Sequence, residues 1–229
     1  MYIMNNINLY LYYKNGVHII VYSSLLALLD PLLGLYLYLK VFAWHYYQQF
    51  SYLYDKSEQY RWKHLVRLTD TGHIANALFY FYPKTLPICY NVQFVICFGY
   101  YLVKFVFGTK DIDTRENPEL FSALQDIHGH LTHSIQFLIL FYQNAVDDYT
   151  FDGNSLFYSY VWIYTWLLFI YLPWRYYTKD SVYAVFNDES PTRIKVAVLV
   201  VFNCLIYFAN SMGHFIQTTG HDIRKIQFK

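Results

Sequence analysis

Two short stretches of this 229-residue chain carry side chains able to move protons. The first, Leu65 to Tyr82, holds Thr69, Asp70, Thr71, His73 and Asn76. On a helix, His73 and Asn76 each fall within about 40° of Thr69, and the three form one polar stripe. The second, Leu124 to Tyr142, holds His128, His130, Thr132, His133, Ser134 and Gln136. His130 and His133 are three apart and share a helical face, whereas His128 is turned about 140° from His133. A threonine hydroxyl is a weak nucleophile until an adjacent base takes its proton, and imidazole suits that task near neutral pH. Thr69 and His133 are therefore the candidate catalytic pair. Asn76 is a candidate amide donor to a developing oxyanion, and His73 and His130 are candidate supporting or lipid-binding groups. The same residue types also tie membrane helices together by hydrogen bonds, and the pattern is compatible with that use too.

The elements that must position these residues follow from composition. The chain is 56% hydrophobic and 22% aromatic but only 14% charged; a soluble domain is nearer about 25% charged. A net charge of +1 gives no basic footprint for nucleic acid. Cys89, Cys97 and Cys204 lie in apolar stretches without a CxxC pair and read as small core residues. The expected fold is all-α: a polytopic membrane protein with six transmembrane helices in one bundle and one domain. A span needs about 20 mostly apolar residues. Six stretches qualify, at about 17–41 (with Asp30-Pro31), 65–82, 86–107, 124–142, 155–177 and 194–216.

Charge sets the expected orientation. Twelve Lys and Arg fall in the loops 40–67, 104–115 and 175–195, against five on the side of the termini. The positive-inside rule turns the richer side to the cytoplasm or the matrix. Both polar spans start there. Thr69 and His133 then lie roughly 6 and 14 Å deep at 1.5 Å per residue, in the same half of the bilayer, where hydroxyl and imidazole can meet.

No cofactor or metal is expected. Haem b would need two histidines on facing helices, drawn from His73, His130, His133 and His214, but residues small enough to admit a porphyrin are scarce. For zinc there is no HExxH, and His128, His130 and His133 are badly spaced on a helix.

The order of these motifs resembles that of the androgen-induced proteins and their relatives, six-span membrane proteins some of which hydrolyse fatty-acid esters of hydroxy fatty acids. Arg67-Leu68-Thr69 followed by Asn76-Ala77-Leu78-Phe79-Tyr80 is similar to the family's Tyr-Leu-Thr and Gln-Ala-Val-Phe-Phe. His130-Leu131-Thr132-His133-Ser134 is similar to its His-x-x-His-Thr. Val182-Tyr183 and Met212-Gly213-His214 are similar to the Trp-Val-Tyr-Pro and Leu-Gly-Glu segments, with Ser181, Ala184 and His214 in place of Trp, Pro and Glu. The likeness covers roughly residues 60 to 217. It implies Thr69 as nucleophile and His133 as catalytic histidine. A register anchored on Trp62-Lys63 would instead put Val66 at the nucleophile's position.

Two functions are compatible with these features. The first is an accessory or structural membrane subunit of a larger assembly, in a mitochondrial inner-membrane respiratory complex, built on this fold. Its partners would be other membrane subunits and lipids. The Tyr-rich start (Tyr2, Tyr10, Tyr12, Tyr13) suits an interface, and the preference for Phe, Tyr, Ile, Asn and Lys fits AT-rich codons. The second is a Thr/His hydrolase of lipid esters.

Overall fold

The computed structural model describes residues 66–107, 118–179 and 181–227. The first expected span, the Tyr-rich start and most of the loops 40–67 and 104–115 lie outside the described residues. Within them all regular structure is helical: α1 (Leu68–Phe81), α2 (Leu86–Phe107), α3 (Pro118–Val146), α4 (Gly153–Thr178) and α5 (Thr192–Gln227). Three stretches, Pro83–Phe105, Gly153–Thr178 and Thr192–Gly220, are long and apolar enough to cross a membrane. They correspond to the third, fifth and sixth expected spans. The described α1 has 14 residues, about 21 Å at 1.5 Å per residue, which is short of a hydrocarbon core of about 30 Å. The 29 residues of α3 have the length but include the polar stripe.

Local chemistry sets the ends. Pro83 has no N–H with which to continue α1, and a single 3₁₀ turn, Pro83–Thr85, reverses the chain into α2. Asp152 opens α4 with a reciprocal cap. Its Oδ1 accepts from Ser155 N–H at 2.8 Å, and its own N–H donates to Ser155 Oγ at 2.9 Å. Further along α4, Pro173 lacks an N–H and its ring crowds the carbonyl four residues back. The bonding register slips there: Trp166–Tyr171 is π-helical, and Leu172 N–H donates to Leu167 O.

Helix α2 is the axis of the bundle and packs on α1, α3, α4 and α5. Leu86, Tyr90, Asn91, Val92, Gln93, Phe94 and Val95 are all buried, so the first half of α2 is enclosed by its neighbours. By contrast, α4 and α5 turn apolar stripes outward, Phe157, Val161, Leu168 and Phe169 on one, Val200, Phe208 and Phe215 on the other. Lipid tails are as apolar as leucine, so helices in a bilayer associate through packing and interhelical hydrogen bonds. Both are present. Phe94 and Tyr90 meet Phe137 of α3, each with centroids 5.4 Å apart. Phe151 sets its edge on Tyr90 at 5.3 Å. A Cβ on Gly213 would strike that Phe151 ring, so only glycine fits at this point of α5. At the end of the bundle where α4 begins, Asn91 Nδ2 donates to Ser159 Oγ and Asn210 Oδ1, both at 3.0 Å. Gln217 of α5 donates to Asn144 Oδ1 of α3 at 2.7 Å.

Candidate Thr/His site between α1, α2 and α3

The start of α1 is held from two sides. Trp166 Nε1–H, in the π segment, donates to Val66 O at 2.7 Å. Leu68 N–H donates to Tyr183 Oη, from the loop after α4, at 2.8 Å. Tyr183 belongs to a cluster with Trp166, Tyr171 and Phe186. Together these contacts position Thr69, the next residue along.

Thr69 Oγ1 lies 3.1 Å from His133 Nε2. The threonine is buried and the imidazole half-buried. Of the two registers considered for the nucleophile, Thr69 is the position that meets the histidine; the Val66 side chain packs instead in an apolar cluster with Leu68, Val92, Val95 and Ile96. The His133 ring is stacked on Tyr100 of α2.

His130 does not reach Thr69. Lys104 Nζ, which can only donate, lies 3.3 Å from its Nε2. Nε2 is therefore the acceptor and Nδ1 carries the proton, which it donates to Tyr101 Oη at 3.0 Å. Tyr101 O–H then donates to Ser134 Oγ at 2.6 Å. This directional chain, whose tautomer follows from the partners' chemistry, clips the last turns of α2 to α3 beside the Thr69–His133 contact.

Asn76 is two turns further along α1. Its Nδ2 donates to Gln136 Oε1 at 3.2 Å. The polar stripe of α1 thus meets that of α3 twice, at Thr69–His133 and at Asn76–Gln136, with residue numbers rising in the same direction. Seven residues of rise, about 10 Å, separate Asn76 from Thr69. His73 lies between them on α1; its side chain is outside the described ones. His214 is exposed on α5.

Tyr100, Tyr101, Lys104 and Trp166 are not singled out by sequence reasoning, and Tyr183 enters it only through the family resemblance. The signal available for α2 was a pair of carboxamides, Asn91 and Gln93, inside its most apolar run, where polar side chains demand a reason.

No protein-family model, no curated protein and no solved structure matches this chain. The likeness to the androgen-induced proteins stands on motif order and spacing alone.

Proposed function

We propose that this chain is an integral-membrane ester hydrolase in which Thr69 is the nucleophile and His133 the general base. The observation that carries the reading is the 3.1 Å contact between Thr69 Oγ1 and His133 Nε2, the reach a base needs to take a hydroxyl proton. With Nε2 unprotonated, the hydroxyl donates to it. Attack of Oγ on an ester carbonyl carbon passes the proton to Nε2 and the carbonyl π pair to oxygen. Collapse expels the alkoxide, which takes that proton and leaves as an alcohol. Water then attacks the acyl-threonine, His133 takes the water's proton, and Thr69 regains it as the acid departs. The substrate class is a lipid ester whose acyl chain lies among the helices; the family resemblance narrows this to fatty-acid esters of hydroxy fatty acids. The test is an alkyl fluorophosphonate on the purified full-length chain, with the adduct located by mass spectrometry. Labelling of Thr69 that disappears in Thr69→Ala and His133→Ala supports the reading, and an unlabelled wild type sinks it.

A second reading, a subunit of a larger inner-membrane assembly with the loops 40–67, 104–115 and 175–195 on the matrix side, is favoured by Tyr207. This residue sits near the middle of Thr192–Gly220 and is 62% exposed. Hydrocarbon offers a phenol no partner, whereas a neighbouring protein chain does. Gentle detergent extraction and native-gel sizing test it. A large stable band with other membrane subunits supports it, and migration as a single chain with its micelle counts against it.

A further inference from the structure

Gln93 is a polar side chain that the helix contacts leave unused. It is fully enclosed on α2, 0% exposed, and neither Nε2 nor Oε1 has a hydrogen-bond partner among the described residues. An amide in that state costs stability that an apolar side chain of the same size would not. Side chains that break a packing rule without compensation concentrate at working sites. The Gln93 Nε2 atom lies 3.1 Å from where a Cβ would stand on Gly72, so the amide faces the bare backbone of α1 beyond Thr69. Gly72 is one turn from Thr69, about 4.5 Å along the axis. An acyl group on Thr69 places its carbonyl oxygen two bonds from Oγ1, and a hydrogen bond adds about 2.9 Å, so its donor belongs about 5 Å from Oγ1. Asn76 is two turns away with its Nδ2 engaged by Gln136; Gln93 meets α1 at Gly72, one turn from Thr69, and its Nε2 has no hydrogen-bond partner among the described residues.

We infer that Gln93 is a catalytic residue of the Thr69–His133 site, its Nε2–H donating to the carbonyl oxygen of the bound ester. The inference rests on the hydrolase reading. As Thr69 Oγ bonds to the carbonyl carbon, the C=O π pair moves onto oxygen and the Gln93 N–H receives that charge. The pair returns to the C=O bond as the alkoxide leaves with the proton held by His133. The Ile96 Cδ1 methyl, which fills the space beside Gly72, is the flexible end that yields to the carbonyl.

The test uses the full-length chain and the alkyl fluorophosphonate, whose P=O oxygen takes the oxyanion position. The variants are Gln93→Leu and Gln93→Met, read by the rate of Thr69 labelling and by melting temperature. Labelling on the order of 100-fold slower, at a melting temperature equal to or above wild type, is the expected result. Labelling at the wild-type rate in a folded variant overturns the inference and leaves the hydrolase reading standing. A marked fall in melting temperature in both variants assigns Gln93 to packing and overturns it as well. An unlabelled wild type overturns both readings together.

Discussion

Tyr100 lies flat against His133, ring centroids 3.9 Å apart and planes 12° from parallel. The contact fixes the plane of the imidazole and with it the direction of Nε2 toward Thr69. A stack of this kind contributes about 0.5–1.5 kcal/mol, which is roughly a 2- to 10-fold effect on a rate. Tyr100→Leu is therefore expected to slow fluorophosphonate labelling of Thr69 by about that factor. Tyr100→Phe keeps the ring and should keep the rate. Equal rates for the Leu and Phe variants would remove the stack from the mechanism.

The Thr69 hydroxyl, and not its methyl, is what the reading requires. Thr69→Ser should retain labelling at that position, whereas Thr69→Val, of the same shape, should lose it. His133→Gln should slow labelling by about 10²–10⁴-fold, the usual contribution of a positioned base. Mass-spectrometric quantitation of the adduct separates these outcomes.

The tie around Asn91 is structural. Asn91→Leu removes two interhelical donations, to Ser159 and Asn210. Such bonds in a membrane bundle average about 0.6 kcal/mol and reach about 1.7, so a destabilisation of about 1–2 kcal/mol is expected. Thermal unfolding in detergent measures it, and Thr69 labelling should not change. A variant as stable as wild type would show the tie to be dispensable.

Gly213→Ala drives a methyl into the Phe151 ring, which is itself held by Tyr90. Overpacking of this kind costs about 1–3 kcal/mol. The pairing with Phe151→Leu should recover part of the loss, since the smaller side chain frees the space. Additive losses in the double variant would place the damage elsewhere on α5.

Acid stability should depend on Asp152. The Ser155 backbone N–H, followed by the other local hydrogen bonds, holds this carboxyl below its ordinary range. A group with a depressed folded pKa stabilises the fold above its unfolded value, about 3.9, and loses that contribution as pH falls through the folded value. The melting temperature of the wild type should thus decline below about pH 4. Asp152→Asn, which still caps but does not titrate there, should decline less steeply. Superimposable acid limbs would rule the cap out as their source.

The helices of the bundle were legible in the sequence because apolar runs of this length have few other folds open to them. The bounds of α2 coincide with the apolar run from Leu86 to Phe107. The contact of Thr69 with His133 was legible because polar stripes on two largely apolar helices, in the same half of the bilayer, have to turn inward. Tyr100 was not: it is one tyrosine among 27, and only the crossing of α2 with α3 selects it. The pinning of Leu68 by Tyr183 spans 115 residues, a separation at which residue patterns carry no register. Gln93 was visible as a polar residue in an apolar run, but its lack of a partner emerges only from the packed bundle.

The π segment of α4 makes residue count itself a structural variable. Trp166 and Tyr171 are five apart, which on an α-helix would turn them about 140° from each other. Both are nonetheless buried, with rings 5.5 Å apart, because the wider π turn brings residues five apart onto one face. Trp166 holds the carbonyl of Val66, and Tyr171 packs against Tyr183, so one face of α4 grips α1 and the following loop at once. Closing the π turn to a regular α-helix without removing a residue would rotate everything beyond it by about 100°. Either the tryptophan or the loop would then lose its hold on the start of α1. The helix carries a phase offset of one residue, and Thr69 inherits its position from that offset as much as from any side chain beside it.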